Sequence, residues 1–584
     1  MIVSDLHHTG KMPNSDTDPR RDSPSPGFSP LLLILAATFF LYLPCLRYGF
    51  VYDDQVQIVT NPRIASWSYL PAYFQHHVWI QISTTGSYYR PLFLLWLRIN
   101  HVLWGMNPVG WHATSLVLHL VAVALAYLLL RRTIPDPLVV VVATAVFALH
   151  PAHIESTAWI SGSTDPLMAI PLIGSLLCWL RYRQHKRVTL LIASLLLFVA
   201  ALMVKESAAI TPLLIFVYGY VRSSEDSQCS RLRQAIRSCA PYFALLLAYV
   251  AVRRHILYSE IEPALRPLYT AILNLPAMAW FYFRHLLWPA RLSVMYDFDL
   301  TRSHSAMLIA ATLLVSIATL AIFFAFRRSP ALLSAWAWIV FPIAAAIAGT
   351  PQFDPHDYVH DRYLYLPVLG LGILFAAALR ALRFGQSHLF GQPASRAIAA
   401  LIVLGAMAYG TESQLFPWTN NLTLFSHAVQ VAPTNPMSYE HLAFEMYKRG
   451  DLVSAMNLYK KAIALDPQDW HANFGLAVLY YRSEQWAPAD FYCDRANQIT
   501  PDANNVCYQF QTVARMKLGA LHAAEIPIRY AIAHWPQVTG QHLLLGRVFV
   551  EEGDKPAAAE EFQNELRIDP KSTEAQNALA QLQP

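Results

Sequence analysis

The sequence predicts an all-α chain in two parts, a polytopic membrane domain of about eleven transmembrane helices followed by a solenoid of helical hairpins. Three observations carry this. Of 584 residues, 55% are hydrophobic and only 14% charged, far from the balance of a soluble domain. Apolar runs of membrane-spanning length recur as far as about residue 412. Past Pro433 the pattern becomes amphipathic, with prolines at a nearly constant interval. The expected division is a tail over 1–28, a membrane domain over 29–412 and a repeat domain over 413–584.

The first 28 residues are rich in Ser, Pro, Asp, Arg and His, a composition that cannot bury a core and reads as a disordered cytoplasmic tail. The run from Pro30 to Cys45 continues into Leu46-Arg47-Tyr48 with no small-residue cleavage site, so it reads as a retained first span. Ten more runs lie near 110–130, 137–150, 165–181, 188–204, 207–221, 239–253, 305–326, 331–349, 362–380 and 396–412. With an inside N-terminus, eleven spans put Arg131-Arg132, the clusters 181–187 and 222–237, Arg327-Arg328 and the loop 380–396 all on the cytoplasmic side. The stretch Thr270 to Pro289 is aromatic and interrupted by Arg284 and His285, more like an interfacial helix than a span. The outer face then receives 47–109, 151–164, 254–304, 350–361 and the repeats.

The net charge of +5 is scattered in short clusters between apolar runs, which argues against nucleic-acid binding. The six cysteines form no CxxC pair, so neither a zinc site nor a disulfide framework is indicated; Cys493 and Cys507 are the two with a chance of meeting.

Pro433, Pro467, Pro501, Pro536 and Pro570 follow one another at intervals of 34, 34, 35 and 34, the tetratricopeptide period. Ala455, Ala489, Ala524 and Ala558 stand twelve before each closing proline, where two helices need close approach. Gly450, Gly519 and Gly553 stand seventeen before, at the turn inside each hairpin, where positive φ is favoured; Glu484 breaks that pattern once. Such arrays bind extended peptides or partner proteins in a concave groove, the alternative being a stabilising lid on the membrane domain.

Ionisable phrases gather on the predicted outer face. Asp53-Asp54 follows the first span, where one carboxylate can take a proton from a nucleophile; the plainer reading is a helix cap and a solvated neighbour. His150, His153 and Glu155 have a spacing that suits a divalent metal, although Pro151 argues for a bend; hydrogen bonds to a substrate and a satisfied histidine pair are the other readings. Lys205-Glu206 reads as a functional pair or a neutralised span end, and Asp165, before Pro166, as a helix cap.

Taken in order, Phe50-Val51-Tyr52-Asp53-Asp54, Tyr89-Arg90-Pro91-Leu92, Asn107-Pro108 with Trp111-His112, Ala148 to Glu155, Lys205-Glu206 and Asp361-Arg362-Tyr363-Leu364-Tyr365-Leu366-Pro367 resemble the transmembrane and tetratricopeptide repeat-containing O-mannosyltransferases and their bacterial relatives. The resemblance covers nearly the whole chain. It implies a GT-C type glycosyltransferase that takes a sugar, mannose as first expectation, from a polyprenyl-phosphate donor to a protein Ser or Thr or another envelope acceptor. The N-terminal tail and the small number of repeats depart from the family and suggest a bacterial-type protein, so the expected setting is a bacterial inner membrane with the repeats outside. Under the resemblance, Asp53 or Asp54 is the base, and Arg362, Arg90 and Lys205 hold the donor phosphate. Tyr89, His150, His153, Glu155, Glu206 and Asp361 contact substrate. No cofactor is called for, a divalent metal is left open, and the repeats take a protein or peptide acceptor.

Asn421-Leu422-Thr423 matches a glycosylation acceptor and is short enough to be chance. A non-catalytic scaffold for an envelope complex is the competing class. A transporter ranks third, because the ionisable residues sit at one face and not at mid-membrane.

Overall fold

The computed structural model describes residues 28–80, 86–223, 225, 227–258, 267–300, 306–382, 387–389 and 392–582. Apart from a two-residue ribbon, His388–Leu389 with Gln392–Pro393, every regular element among them is helical. The expected tail lies, but for Phe28, outside the described residues.

Each of the eleven apolar runs forms a helix, but their lengths differ. Among the described residues seven helices are long and apolar enough to cross a membrane: Ser29–Arg47, Pro108–Thr133, Ser161–His185, Gln228–Ile256, Ala306–Phe326, Pro330–Gln352 and Ala394–Thr419. An eighth is a broken one, Pro137–Leu149 and Pro151–Ala158, bent by 51° at His150-Pro151, the bend expected from the proline. Val188–Val204, Glu206–Val221 and Pro367–Ala381 are apolar but shorter. At 1.5 Å per residue they reach only about 22–26 Å, less than the ~30 Å of a hydrocarbon core, so eleven full-length spans are not reached. The aromatic stretch after Thr270 forms the 13-residue helix Leu275–Leu287, too short to span. The chain is a multi-pass membrane protein by its long apolar helices.

Asp136 caps the helix Pro137–Leu149 by accepting from the backbone of Leu138 and Val139, and Asn107 does the same for Val109 at Pro108–Thr133. Gly372 lies against the Ala143 backbone and Gly370 against that of Ala335; a β-carbon at either would meet backbone oxygen at about 2.6 Å and 2.5 Å. These contacts dock Pro367–Ala381 tightly and carry the loop before it, which holds Asp361 and Arg362, to the end of the bundle.

The repeats fold as antiparallel hairpins: Pro436–Lys448 with Leu452–Leu465, Trp470–Arg482 with Trp486–Ile499, Val506–Lys517 with Leu521–His534, and Gln541–Glu552 with Lys555–Ile568, closed by Thr573–Leu582. Ala455, Ala489, Ala524 and Ala558 are fully buried where the helices touch. Gly450, Gly519 and Gly553 take φ of 83°, 74° and 86°, and Glu484 takes the same left-handed turn at 56°, so the hairpin geometry overrides the residue's own preference. Cys493 and Cys507 are buried free thiols on neighbouring helices.

Candidate active site

Asp53 and Asp54 lie in a turn that sends their side chains to different places. Asp54 is fully buried, and its carboxylate accepts from Ser161 N at 2.8 Å, Ser161 Oγ at 2.6 Å and Val51 N at 3.1 Å. Burial raises it to about 6 against those hydrogen bonds. It neither caps a helix nor faces solvent; it ties the turn to the loop at Ser161.

Asp53 instead lines a cavity of about 590 Å³ and accepts no side-chain hydrogen bond among the described residues. Burial lifts its carboxyl to about 7; Arg362 pulls it down, while Asp357, Asp54 and Asp354 push it further up.

Three ion pairs meet at this end of the bundle. Arg362 donates to Glu155 through both its side chain (2.7 Å) and its backbone N–H (2.9 Å), with its guanidinium over the rings of Trp159 and Tyr363. Lys205 Nζ donates to both oxygens of Asp165, at 2.6 and 2.7 Å. Arg90 donates through Nε and a terminal nitrogen to Glu206, at 3.0 and 2.9 Å. Two expectations are corrected here. Lys205 does not neutralise Glu206, because adjacent residues at the end of a helix point apart. Nor does Asp165 cap its helix: it lies within the first turn and its carboxylate is taken by Lys205.

Arg90, Lys205, Glu206 and Arg362 line a second cavity of about 380 Å³. It is also lined by Arg253, Asp165, Tyr88 and Tyr363, and by the small residues Pro342, Ala345, Ala346, Ala348 and Gly349 of Pro330–Gly349. Four cations against two carboxylates leave its lining at +2. The two cavities adjoin, sharing Tyr88, Gln352, Phe353, Arg362 and Tyr363. The larger one is closed on its other side by the first two repeat hairpins, through Glu440, His441, Asp469, Trp470 and His471. Burial raises Glu440 to about 7 and depresses His441 to about 4.

Four predicted site residues are turned away from both cavities. Tyr89 donates to the Phe74 carbonyl, and its neighbour Tyr88 takes the cavity wall instead. His150 is spent on the carbonyl of Leu286 and the N–H of Ala152. His153 is wholly buried against Tyr365, with ring centroids 4.5 Å apart. Asp361 accepts from Tyr296 and faces His285, inside the protein. Glu155 reaches the cavities through Arg362 and through His360, whose Nδ1 lies 3.6 Å from its Oε1. The proline bend disperses His150, His153 and Glu155 to three different partners, so they do not converge as metal ligands. The one group of three ligand atoms within 4.8 Å among the described residues is His522, Glu525 and Glu552, on the repeats.

Tyr88, Arg253, Asp357, His360, Glu440 and His441 were not singled out from the sequence. The first four lie in segments read as outer loops or span ends, and only folding brings the last two across from the repeats.

A tetratricopeptide-repeat profile matches residues 446–506. Protein O-mannosyl-transferase Tmtc1 of Drosophila melanogaster is 37% identical over 186 residues, 31% of this chain and 21% of that protein. Protein O-mannosyl-transferase F38B6.6 of Caenorhabditis elegans is 25% identical over 484 residues, 79% of this chain and 66% of that one. Protein O-mannosyl-transferase TMTC3 of Mus musculus is 23% identical over 605 residues, 93% and 64%. Over most of its length the chain is similar to proteins named O-mannosyl-transferases of the TMTC group. It spans less than two thirds of the length of these relatives. The repeats are not a detached appendage, since they form a wall of the larger cavity.

Proposed function

We propose that this protein is a GT-C type membrane glycosyltransferase that moves a sugar, mannose first among candidates, from a polyprenyl-phosphate donor to a protein Ser or Thr on the non-cytoplasmic face. The observation that carries the reading is the junction of two unlike cavities at Arg362: one cationic with an apolar wall, the other holding an unpartnered carboxylate, Asp53, whose acidity is shifted to about 7. A lipid phosphate matches the first, its anionic head by Arg90, Lys205 and Arg362 and its chain by the small residues of Pro330–Gly349. A hydroxyl-bearing segment matches the second.

The acceptor oxygen attacks the anomeric carbon as the bond from that carbon to the phosphate oxygen breaks. Asp53 takes the hydroxyl proton, and the departing phosphate keeps the bonding electrons, its charge stabilised by the cations. The homologues' names agree with protein O-mannosyl transfer as the activity.

The proposed orientation is supported by the opposite end of the bundle. Arg132, Arg183 and Arg222 share a small cavity there. Asp165 opens the helix Thr164–His185 at the site and Arg183 lies in its last turn, about 27 Å further along the axis, close to a hydrocarbon thickness. A bacterial inner membrane, with the repeats on its periplasmic face, fits that arrangement.

The test is transfer of radiolabelled sugar from synthetic polyprenyl-phosphate sugars to Ser/Thr peptides by the purified full chain. Transfer by the wild type identifies the sugar; silence with every donor, in folded protein, would move the reading to a repeat-bearing membrane scaffold. The rate should also follow the Asp53 carboxyl. Because only the deprotonated form accepts a proton, kcat/KM is expected to rise with pH and level off above about 7. A flat profile across that range would remove Asp53 as the base.

A further inference from the structure

The Asp53 side chain accepts no hydrogen bond among the described residues; its backbone carbonyl accepts from Val56 N at 3.0 Å and Gln57 N at 2.7 Å, so the place of its carboxylate follows the backbone of the turn it shares with its neighbours. On one side Asp54 is pinned to Ser161 of the membrane domain. On the other, Tyr52 takes the left-handed conformation, φ 51°, a state that costs free energy for a residue with a β-carbon. Something must hold it there. Its N–H donates to Asn421 Oδ1 at 2.7 Å, across 369 residues of chain, at the start of the helix Asn421–Val431 that leads into the repeats. Asn421 is in turn oriented by Glu445 of the first repeat hairpin, whose carboxylate accepts from Asn421 Nδ2 at 3.0 Å. A carboxylate only accepts, so this bond decides which way the amide points. The Tyr52 ring is boxed by Trp159, Phe425 and His441, the last two also from the repeat side.

We infer that Asn421, held by Glu445, is a positioning residue for Asp53, so that the repeat domain is part of the catalytic apparatus as well as a wall of the acceptor cavity. The inference rests on Asp53 being the base. It also accounts for Asn421-Leu422-Thr423 without a glycan: the Asn421 side chain is buried and both ends of its amide are bonded.

The experiment compares the full chain in detergent with Asn421→Ala and with Asn421→Asp paired with Glu445→Gln. The pair exchanges the groups while keeping an acceptor for Tyr52 and a donor-acceptor bond to residue 445. Asn421→Ala is expected to lower kcat about 100-fold, the scale of a roughly 1 Å misplacement, with the donor KM changed less than about two-fold. The exchanged pair should recover most of the loss, and amide hydrogen exchange over residues 50–57 should quicken in Asn421→Ala and return in the pair. Unchanged kcat with unchanged exchange in Asn421→Ala would overturn the inference. So would a loss that the pair does not restore although it folds. If Asn421→Ala does not fold, Asn421→Asp alone, with two carboxylates facing each other, against the exchanged pair supplies the same comparison. If the wild type transfers no sugar, the functional reading fails separately, and the exchange measurement still decides whether Asn421 holds the turn.

Discussion

Asp53→Asn should abolish sugar transfer in protein that folds normally, whereas Asp54→Ala should damage the fold first. General-base removal is worth about 10²–10⁴ in rate, and the isosteric change at Asp53 breaks no side-chain hydrogen bond among the described residues. Asp54→Ala strips an acceptor from Ser161 N, Ser161 Oγ and Val51 N in a fully buried place. At about 1–3 kcal/mol for each donor left unsatisfied, that loss is a large fraction of the stability of an ordinary domain. Transfer rate and thermal unfolding measured on the same two variants separate the roles. Equal losses of rate at equal stability would mean that the two carboxylates act as one unit, and full activity in Asp53→Asn would remove the base assignment.

Arg362→Ala is expected to lose both activity and stability, and the two losses can be pulled apart. The guanidinium belongs to the smaller and the larger cavity alike, so its removal should cost about 10²–10³ in rate through lost stabilisation of the leaving phosphate. It also leaves Glu155, 2% exposed, without its cation, and breaking a buried pair from one side costs about 3–5 kcal/mol. Adding Glu155→Gln to Arg362→Ala removes the stranded charge. Thermal stability should then recover substantially while transfer stays low. If transfer returned together with stability, Arg362 would be a structural partner of Glu155 and the phosphate would have to be held by Lys205 and Arg90.

The repeats were legible because their constraints are local. A hairpin of two helices needs a small residue at the crossing, a tight turn and a stop, and each recurs at a fixed distance along the chain, as Ala455, Gly450 and Pro467 do in the first hairpin. Even the exception, Glu484, sits at the expected turn. Apolar runs were legible for the same reason, since hydrophobicity is summed over consecutive residues. Their conversion into spans was less so: helix ends depend on caps and on the proline at 151, and three runs stop short of a membrane's thickness. Among the residues that line the cavities, Asp53, Arg90, Lys205, Glu206 and Arg362 are legible as charged groups in an apolar chain, where such groups need a reason. Tyr88, not Tyr89, lines the cavities, and Asp361, His150 and His153 are buried away from them.

Composition, the eleven apolar runs, the proline period and the acidic and basic phrases between them were thus determined by the sequence itself, because each is a property of neighbouring residues. Only the tertiary structure decided which carboxylate is anchored and which is free, that Lys205 pairs with Asp165 and Arg90 with Glu206, and that Asn421 reaches back to Tyr52. Those choices are made by partners brought together from distant segments, 107 residues away for Asp54 and 369 for Tyr52. A buried charge or N–H must find a partner, but nothing local says which one.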